Sequence, residues 1–300
     1  MGTSPVPASA ESGPGSALTP ELQKAVARVT EIDSLPEVTT RIVEIVEDPR
    51  ATARDMHDVV RADPALAAKI LKVVNSAFYG LPSQIASLER AITMLGLSAV
   101  KNIALAASLS RMFRAEAVSE QFAARDLWQH CVAVGVCARE LSASTEWAQR
   151  DEVFVAGLVH DLGLIIVQQL LPDKLRSVCE ECFNQPQDFR QAEQAHIGAD
   201  HQAFGLALAQ RWKFPPHLCW AIGAHHQPDA VAGPHQRFVS LVYLADTICS
   251  YAKLGFWLTG QLQENPAEIF ERVAIKPQQV DEVAQRLPEL CEEAEQIFAD

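Results

Sequence analysis

Basic residues are scarce in this chain. Lys and Arg total 25 against 38 Asp and Glu among 300 residues, a formal net charge of −13, and no stretch gathers its positive charge. A partner held through a phosphate backbone is therefore not expected, because such partners are gripped by clustered cations. The seven cysteines are scattered without the regular spacing of a disulfide framework, and no signal peptide is evident at the start. Both absences point to a reducing cytoplasm. Strand-length runs of alternating β-branched residues are missing too, which removes the sheet architectures. With 48% hydrophobic and 21% charged residues, what remains is a globular chain long enough to bury a substantial core.

Long apolar runs are few, and polar residues interrupt them. Val153 to Pro172 carries His160, Asp161, Gln168 and Gln169, and Ala91 to Ser110 carries Lys101. A charge at mid-bilayer costs about 2 to 3 kcal/mol, so both runs are expected to be buried helices rather than membrane spans. Val6 stands where a myristoylation signal after Gly2 wants Ser or Thr, and no lipid anchor is expected.

Residues 1–18 are Pro, Ser, Gly and Ala with one charge, Glu11, and read as a flexible leader or linker remnant. Beyond them the pattern is helical. Ser34-Leu35-Pro36-Glu37 reads as a capping box ahead of Leu35, Val38, Ile42 and Ile45 at helical spacing, and Asp48-Pro49 stops that helix. Asp63-Pro64 opens a second, with Leu66, Ile70, Val73 and Val74 on its apolar face. A third is expected from about Ser98. Residues 19–114 are thus read as an all-α unit of short helices, and 115–262 as a second helical part whose apolar faces are broken by His and Asp. Residues 263–300 hold ten acids against Arg272, Lys276 and Arg286, an acidic helical tail that is either a solvated face or a docking surface.

Chemistry is expected where polar residues fall on apolar stripes. His130 shares one with Ala133, Val134 and Cys137. His160 and Asp161 follow Phe154-Val155-Ala156-Gly157-Leu158-Val159, and His201 lies with Phe204 and Leu208 behind the N-cap residue Asp200. His225 follows Leu218 and Ile222, with His226 beside it, and Asp246 follows Val239 and Val242. Two aspartates buried without partners cost more than apolar residues there would, so they call for a shared cation or a hydrogen-bond network. Imidazole nitrogens with carboxylate oxygens and no thiolate suit Fe, Mn, Ni, Zn or Mg rather than a cysteine-type structural zinc. Cys179-Glu180-Glu181-Cys182, lacking a second pair, reads as two helix cysteines. Asn75 to Gly80 reads as a helix stop or a recognition surface, and Trp128, Trp212 and Trp220 as packing.

The order His, His-Asp, His, His-His, Asp resembles the HD-type metal-dependent phosphohydrolases. Five phrases narrow the likeness: SLPEVTTRIVEIVEDP, VVRADPALAAKILKVVNSAFYG, SLERAITMLGLSAVKNIAL, VFVAGLVHDLGLII and HQAFGLALAQRWKFPPHLCWAIGAHH. Together they resemble the HDOD domain, an HD-related output domain of bacterial signalling proteins, over about Leu22 to Ala252. The resemblance implies an all-α fold with an N-terminal helical bundle on an HD-like bundle. It also implies metal positions at His130, His160, Asp161, His201, His225, His226 and Asp246, with His196 a rival for His201.

Two marks of the related HD-GYP cyclic dinucleotide phosphodiesterases are missing. Leu164 replaces the Lys that follows His-Asp-x-Gly, and Gln227-Pro228-Asp229 replaces the Gly-Tyr-Pro motif. Phosphodiester hydrolysis by that route needs metals to make hydroxide and a cation to take up developing phosphate charge, and Leu164 supplies neither. The resemblance therefore implies a regulatory module that acts on signalling proteins, not on nucleic acid or membrane. In that module the metal ligands remain and no residue is assigned as catalytic. The alternative is a phosphohydrolase acting on a nucleotide or cyclic dinucleotide.

Overall fold

The computed structural model describes residues 18–28, 37–76, 79–113, 119–145 and 150–298. Helices dominate, and the pairing of extended backbone among the described residues is one isolated bridge between Ser119 and Phe122. Six helices come first: α1 (Pro20–Arg28), α2 (Glu37–Glu47), α3 (Ala53–Val60), α4 (Pro64–Val74), α5 (Leu88–Leu95) and α6 (Leu97–Leu109). Local chemistry sets their ends. Thr52 and Asp55 form a reciprocal capping box on α3, Asp63 caps α4 ahead of Pro64, and Ser87 caps α5. The helix expected from about Ser98 is α6, and Gly96, at φ +88, turns the chain into it from α5, a short helix the sequence pattern did not mark, in a conformation that other residues adopt only at a cost. Of the capping box read at residues 34–37, Ser34 to Pro36 lie outside the described residues, as does the leader apart from buried Leu18.

Helices α2, α4 and α5 pack on α6, and α6 in turn packs on α8. Ile42, Val59, Ile70, Val100 and Ile103 are all buried there, the product of the apolar stripes. Helix α1 instead lies against α9 and α12. Asn75 is the pin of the turn after α4: its amide donates to the carbonyls of Leu71 and Ile85, both at 2.8 Å, and its Oδ1 accepts from Ile85 N at 2.6 Å. Between the recognition and helix-stop readings of this turn, Asn75's bonds all go to local backbone.

The larger helical part comprises α7 (Ala124–Ala143), α8 (Arg150–Val159), α9 (Leu162–Leu170), α10 (Pro172–Asn184), α11 (Phe189–His196), α12 (His201–Arg211), α13 (Pro216–Ala224), α14 (His235–Tyr251), α15 (Ala267–Val273) and α16 (Pro277–Phe298). The run Arg150–Leu170 is apolar enough, by length and composition, to cross a membrane. It is nevertheless buried almost throughout within the protein, and it breaks at His160-Asp161 into α8 and α9. The acidic tail is no loose extension. Val283, Leu287, Cys291 and Ala294 bury one face of α16, which packs along α7 and touches α4. Gln129 donates to Glu295 at 2.9 Å and Arg286 pairs with Glu140 at 3.4 Å, while Glu289 and Glu292 face solvent.

Candidate metal centre

The seven residues picked from the sequence meet in one place. His130 comes from the middle of α7, His160 and Asp161 from the break between α8 and α9, His201 from the first turn of α12, His225 and His226 from the end of α13, and Asp246 from α14. Six of the seven have no exposure and His226 has 6%. Glycines let their helices approach. A Cβ on Gly157 would lie 2.6 Å from Gly135 Cα, so α7 and α8 cross in contact, and one on Gly163 would lie 1.8 Å from the His201 carbonyl oxygen. Larger residues at either position would push the histidines apart.

Hydrogen bonding fixes how the imidazoles face. His130 Nδ1 meets the Leu254 carbonyl at 3.1 Å, His160 Nδ1 the Gly157 carbonyl at 2.7 Å, and His225 Nδ1 the Ala221 carbonyl at 3.1 Å. His201 Nδ1 meets Glu193 Oε2 at 2.7 Å and His226 Nδ1 meets Gln263 Oε1 at 2.8 Å. All five partners accept, so all five Nδ1 atoms donate. In the neutral ring Nε2 is then a bare lone pair, and all five point inward.

What they point at is negative. His130 Nε2 lies 3.0 Å from Asp246 Oδ1, while Asp161 Oδ1 lies 3.2 Å from His201 Nε2 and 3.3 Å from His225 Nε2. His201 Nε2 is 3.0 Å from His226 Nε2 and 3.4 Å from His225 Nε2. His160 Nε2 and Asp161 Oδ1 are both buried without an aligned hydrogen-bond partner. Lone pairs facing lone pairs and carboxylates repel unless cations stand between them. Asp161, His201, His225 and His226 offer ligand atoms within one metal's reach, and His130, His160 and Asp161 offer a second such group. Asp161 belongs to both. The donor set fits divalent metal: nitrogen and carboxylate ligands converge, and each imidazole's outer N–H is anchored to an oxygen, as ligating histidines require.

Protons shared among these side chains also bear on their charge. Burial disfavours charge on Asp161, yet His160 and the bonds from His201 and His225 hold it well below the usual carboxylate range. Burial likewise opposes protonation of His201, but Glu193 and Asp161 overcome it and lift His201 well above its ordinary value. His226 goes the other way, because burial and then the charges of His225 and His201 push it well down.

Three more residues belong here that the sequence reading did not pick out. Glu193 on α11 is fully buried and takes both the backbone N–H (3.1 Å) and Nδ1–H of His201. Its signal was present, since Phe189, Ala192 and Glu193 share one buried stripe. Gln263 accepts from His226 and donates to Asp246 Oδ2 at 2.6 Å. Thr259 Oγ1 reaches Asp161 Oδ2 at 3.5 Å. Both sit on the irregular strap between α14 and α15, where no periodicity marks a residue. His196, the rival of His201, lies on the outer side of α11 paired with Glu181 at 2.5 Å. Leu164 is fully buried and brings no charge. Cys179 and Cys182 are buried on α10, and burial pushes the Cys182 thiol up to about 12, so it is no thiolate ligand.

A cavity of about 300 Å³ opens against this centre. Its inner wall is His226, Thr259 and Gln263, and its outer wall includes Arg190 and Tyr243.

The model of the HDOD domain matches residues 32–228, and the chain belongs to the HDOD domain family. Its fold is shared with an HDOD domain protein of unknown function from Geobacter sulfurreducens, at a TM-score of 0.77 and 22% identity over 92% of this chain and 98% of that one. A Marinobacter aquaeolei VT8 protein described in terms of signal transduction is similar at a TM-score of 0.75 and 22% identity, over 93% of this chain and 65% of that one. A Shewanella amazonensis SB2B protein described as a phosphohydrolase is similar at 0.70 and 21%, over 91% and 98%. A Treponema pallidum relative is 26% identical over 221 residues, 72% of this chain, which spans 42% of that relative's length.

Proposed function

We propose that this chain is a cytoplasmic regulatory module of bacterial signalling that acts by contact with another signalling protein and keeps an HD-type metal centre for stability or sensing rather than turnover. One observation carries the reading. Five inward Nε2 atoms and two carboxylates converge with neither Lys nor Arg among them, and Leu164 is apolar and buried where phosphodiester chemistry of the related enzymes uses Lys. Asp161, His201, His225 and His226 would hold one metal, and His130, His160 and Asp161 form a second group that could hold another, with Asp246 beside His130. The metals would supply Lewis acidity to a bound oxygen ligand. The protein's share is to hold the five rings by their outer N–H groups and to exclude water. The acidic charge and the seven free cysteines support a cytoplasmic protein partner over nucleic acid or membrane.

Turnover decides it. Metal-supplied protein assayed on bis(p-nitrophenyl) phosphate and on cyclic dinucleotides is expected to show no hydrolysis above background. A rate approaching about 10 per second, the enzyme median, lost in His160→Ala with the fold intact, would replace this reading with the phosphohydrolase.

A further inference from the structure

The cavity beside the metal centre has a built entrance. Its inner wall is made of groups bonded to the candidate ligands: Gln263 to His226 and Asp246, and Thr259 to Asp161. A molecule in the cavity therefore lies one side chain away from the metal face. Across from that wall stands Arg190, the one Lys or Arg among the residues lining the cavity. Asp188 holds its guanidinium side-on, with Nε at 3.3 Å from Oδ1 and Nη2 at 2.9 Å from Oδ2. That grip engages one edge of the fork and leaves Nη1 with no partner among the described residues. The side chain is 23% exposed, so it is half-buried at the rim rather than free in solvent. A guanidinium fixed on one edge by a carboxylate is oriented in advance to give the other edge to a second oxyanion.

We propose that this cavity binds a small molecule bearing an oxyanion, phosphate or carboxylate, whose charged group lies between the free edge of Arg190 and the metal-facing wall at Gln263. The inner-wall half of this inference rests on the metal reading, since metals would draw electron density from the ligands behind Gln263 and Thr259, whereas the grip of Arg190 does not need them. Asp188 and Glu264 also line the cavity, and their charge favours a compact oxyanion over a polyanion. Arg190 thereby supplies, from α11, the cation that Leu164 withholds from α9. The cavity makes the module responsive to a small ligand without requiring that it be hydrolysed.

The test is isothermal titration of the full chain, reconstituted with Mn(II) and also stripped of metal, with orthophosphate and separately with acetate. Saturable binding of at least one is expected, and which one binds identifies the source of the oxyanion. In Arg190→Ala the affinity should fall about tenfold or more, as for loss of a charge-assisted bond, and Arg190→Lys should recover part of it. Thermal melts confirm that each variant folds, and if the alanine variant does not fold, Arg190→Lys alone decides. Metal counted in every sample separates the two claims. Metal taken up with no binding, or with binding indifferent to Arg190, overturns the oxyanion site and leaves the metal reading standing. Arg190-dependent binding in protein that takes no metal keeps the oxyanion site and removes the metal reading, and no metal with no binding removes both.

Discussion

The two helical parts are built from the same element and bury different things. Around α6 the interior is Ile42, Val59, Ile70, Val100 and Ile103, and its one buried ionisable side chain among the described residues, Lys101, keeps its ammonium near the Asp48 carbonyl at 3.4 Å. Around α7, α8, α12 and α14 the interior holds five imidazoles and three carboxylates. The first part is stable because its faces are apolar. The second is stable only if its charges are matched, so its stability and its chemistry are one property. That difference is open to experiment because substitutions in the two parts should fail differently.

The largest effect should come from Asp161→Ala, which strands the Nε2 atoms of His201 and His225 and removes the residue common to both metal groups. We expect about 3 to 5 kcal/mol of destabilisation by denaturant unfolding, with loss of metal, as when one partner of a buried pair is removed. Ile103→Ala in the other part should cost a comparable or smaller amount, about 2 to 5 kcal/mol from the cavity it leaves, yet bind metal as the parent does. Equal metal loss in both variants would erase the comparison. Glu193→Gln keeps the size and loses the charge behind His201, and metal affinity measured by chelator competition should fall about 10- to 100-fold with little change in helicity.

The smallest effect concerns pH and lies outside the centre. Burial, with the charge of His235 behind it, pushes His217 down to about 4, whereas the unfolded imidazole titrates near 6.5. Between those values the unfolded chain binds the proton and the folded chain does not, so stability falls as pH drops from about 6.5 to 4. His217→Phe should flatten that window by an amount on the order of 2 kcal/mol, read from urea midpoints across the range.

Much of the centre was legible because buried polar residues on apolar stripes are rare, and seven of them announced a common neighbour. His201 and His196 could not be separated by spacing alone. What divides them is that His201 opens α12 facing inward behind the Asp200 cap, while His196 ends α11 on its wet side beside Glu181. Gln263 and Thr259 were beyond reach, since they act from a strap whose path is set by tertiary bonds such as Tyr243 OH to the Glu264 carbonyl at 2.5 Å. The helical class followed from the absence of strand patterns. A helix start near Ser98, where α6 begins, was legible too, whereas the eight-residue helices α3 and α5 were too short for their periodicity to mark them. The acidic tail was read by its charge, yet its apolar positions at Val283, Leu287, Cys291 and Ala294 set where it lies.

We propose that metal holds the inward-facing imidazoles and carboxylates together. The most direct test is the thermal midpoint of the full chain, with metal counted in the same sample, before and after chelation. The expected result is at least one transition metal per chain and a midpoint that drops on chelation and returns when metal is restored. Substoichiometric metal under every loading condition, with a midpoint indifferent to chelator, would show that protons and hydrogen bonds alone hold the histidines and aspartates in place.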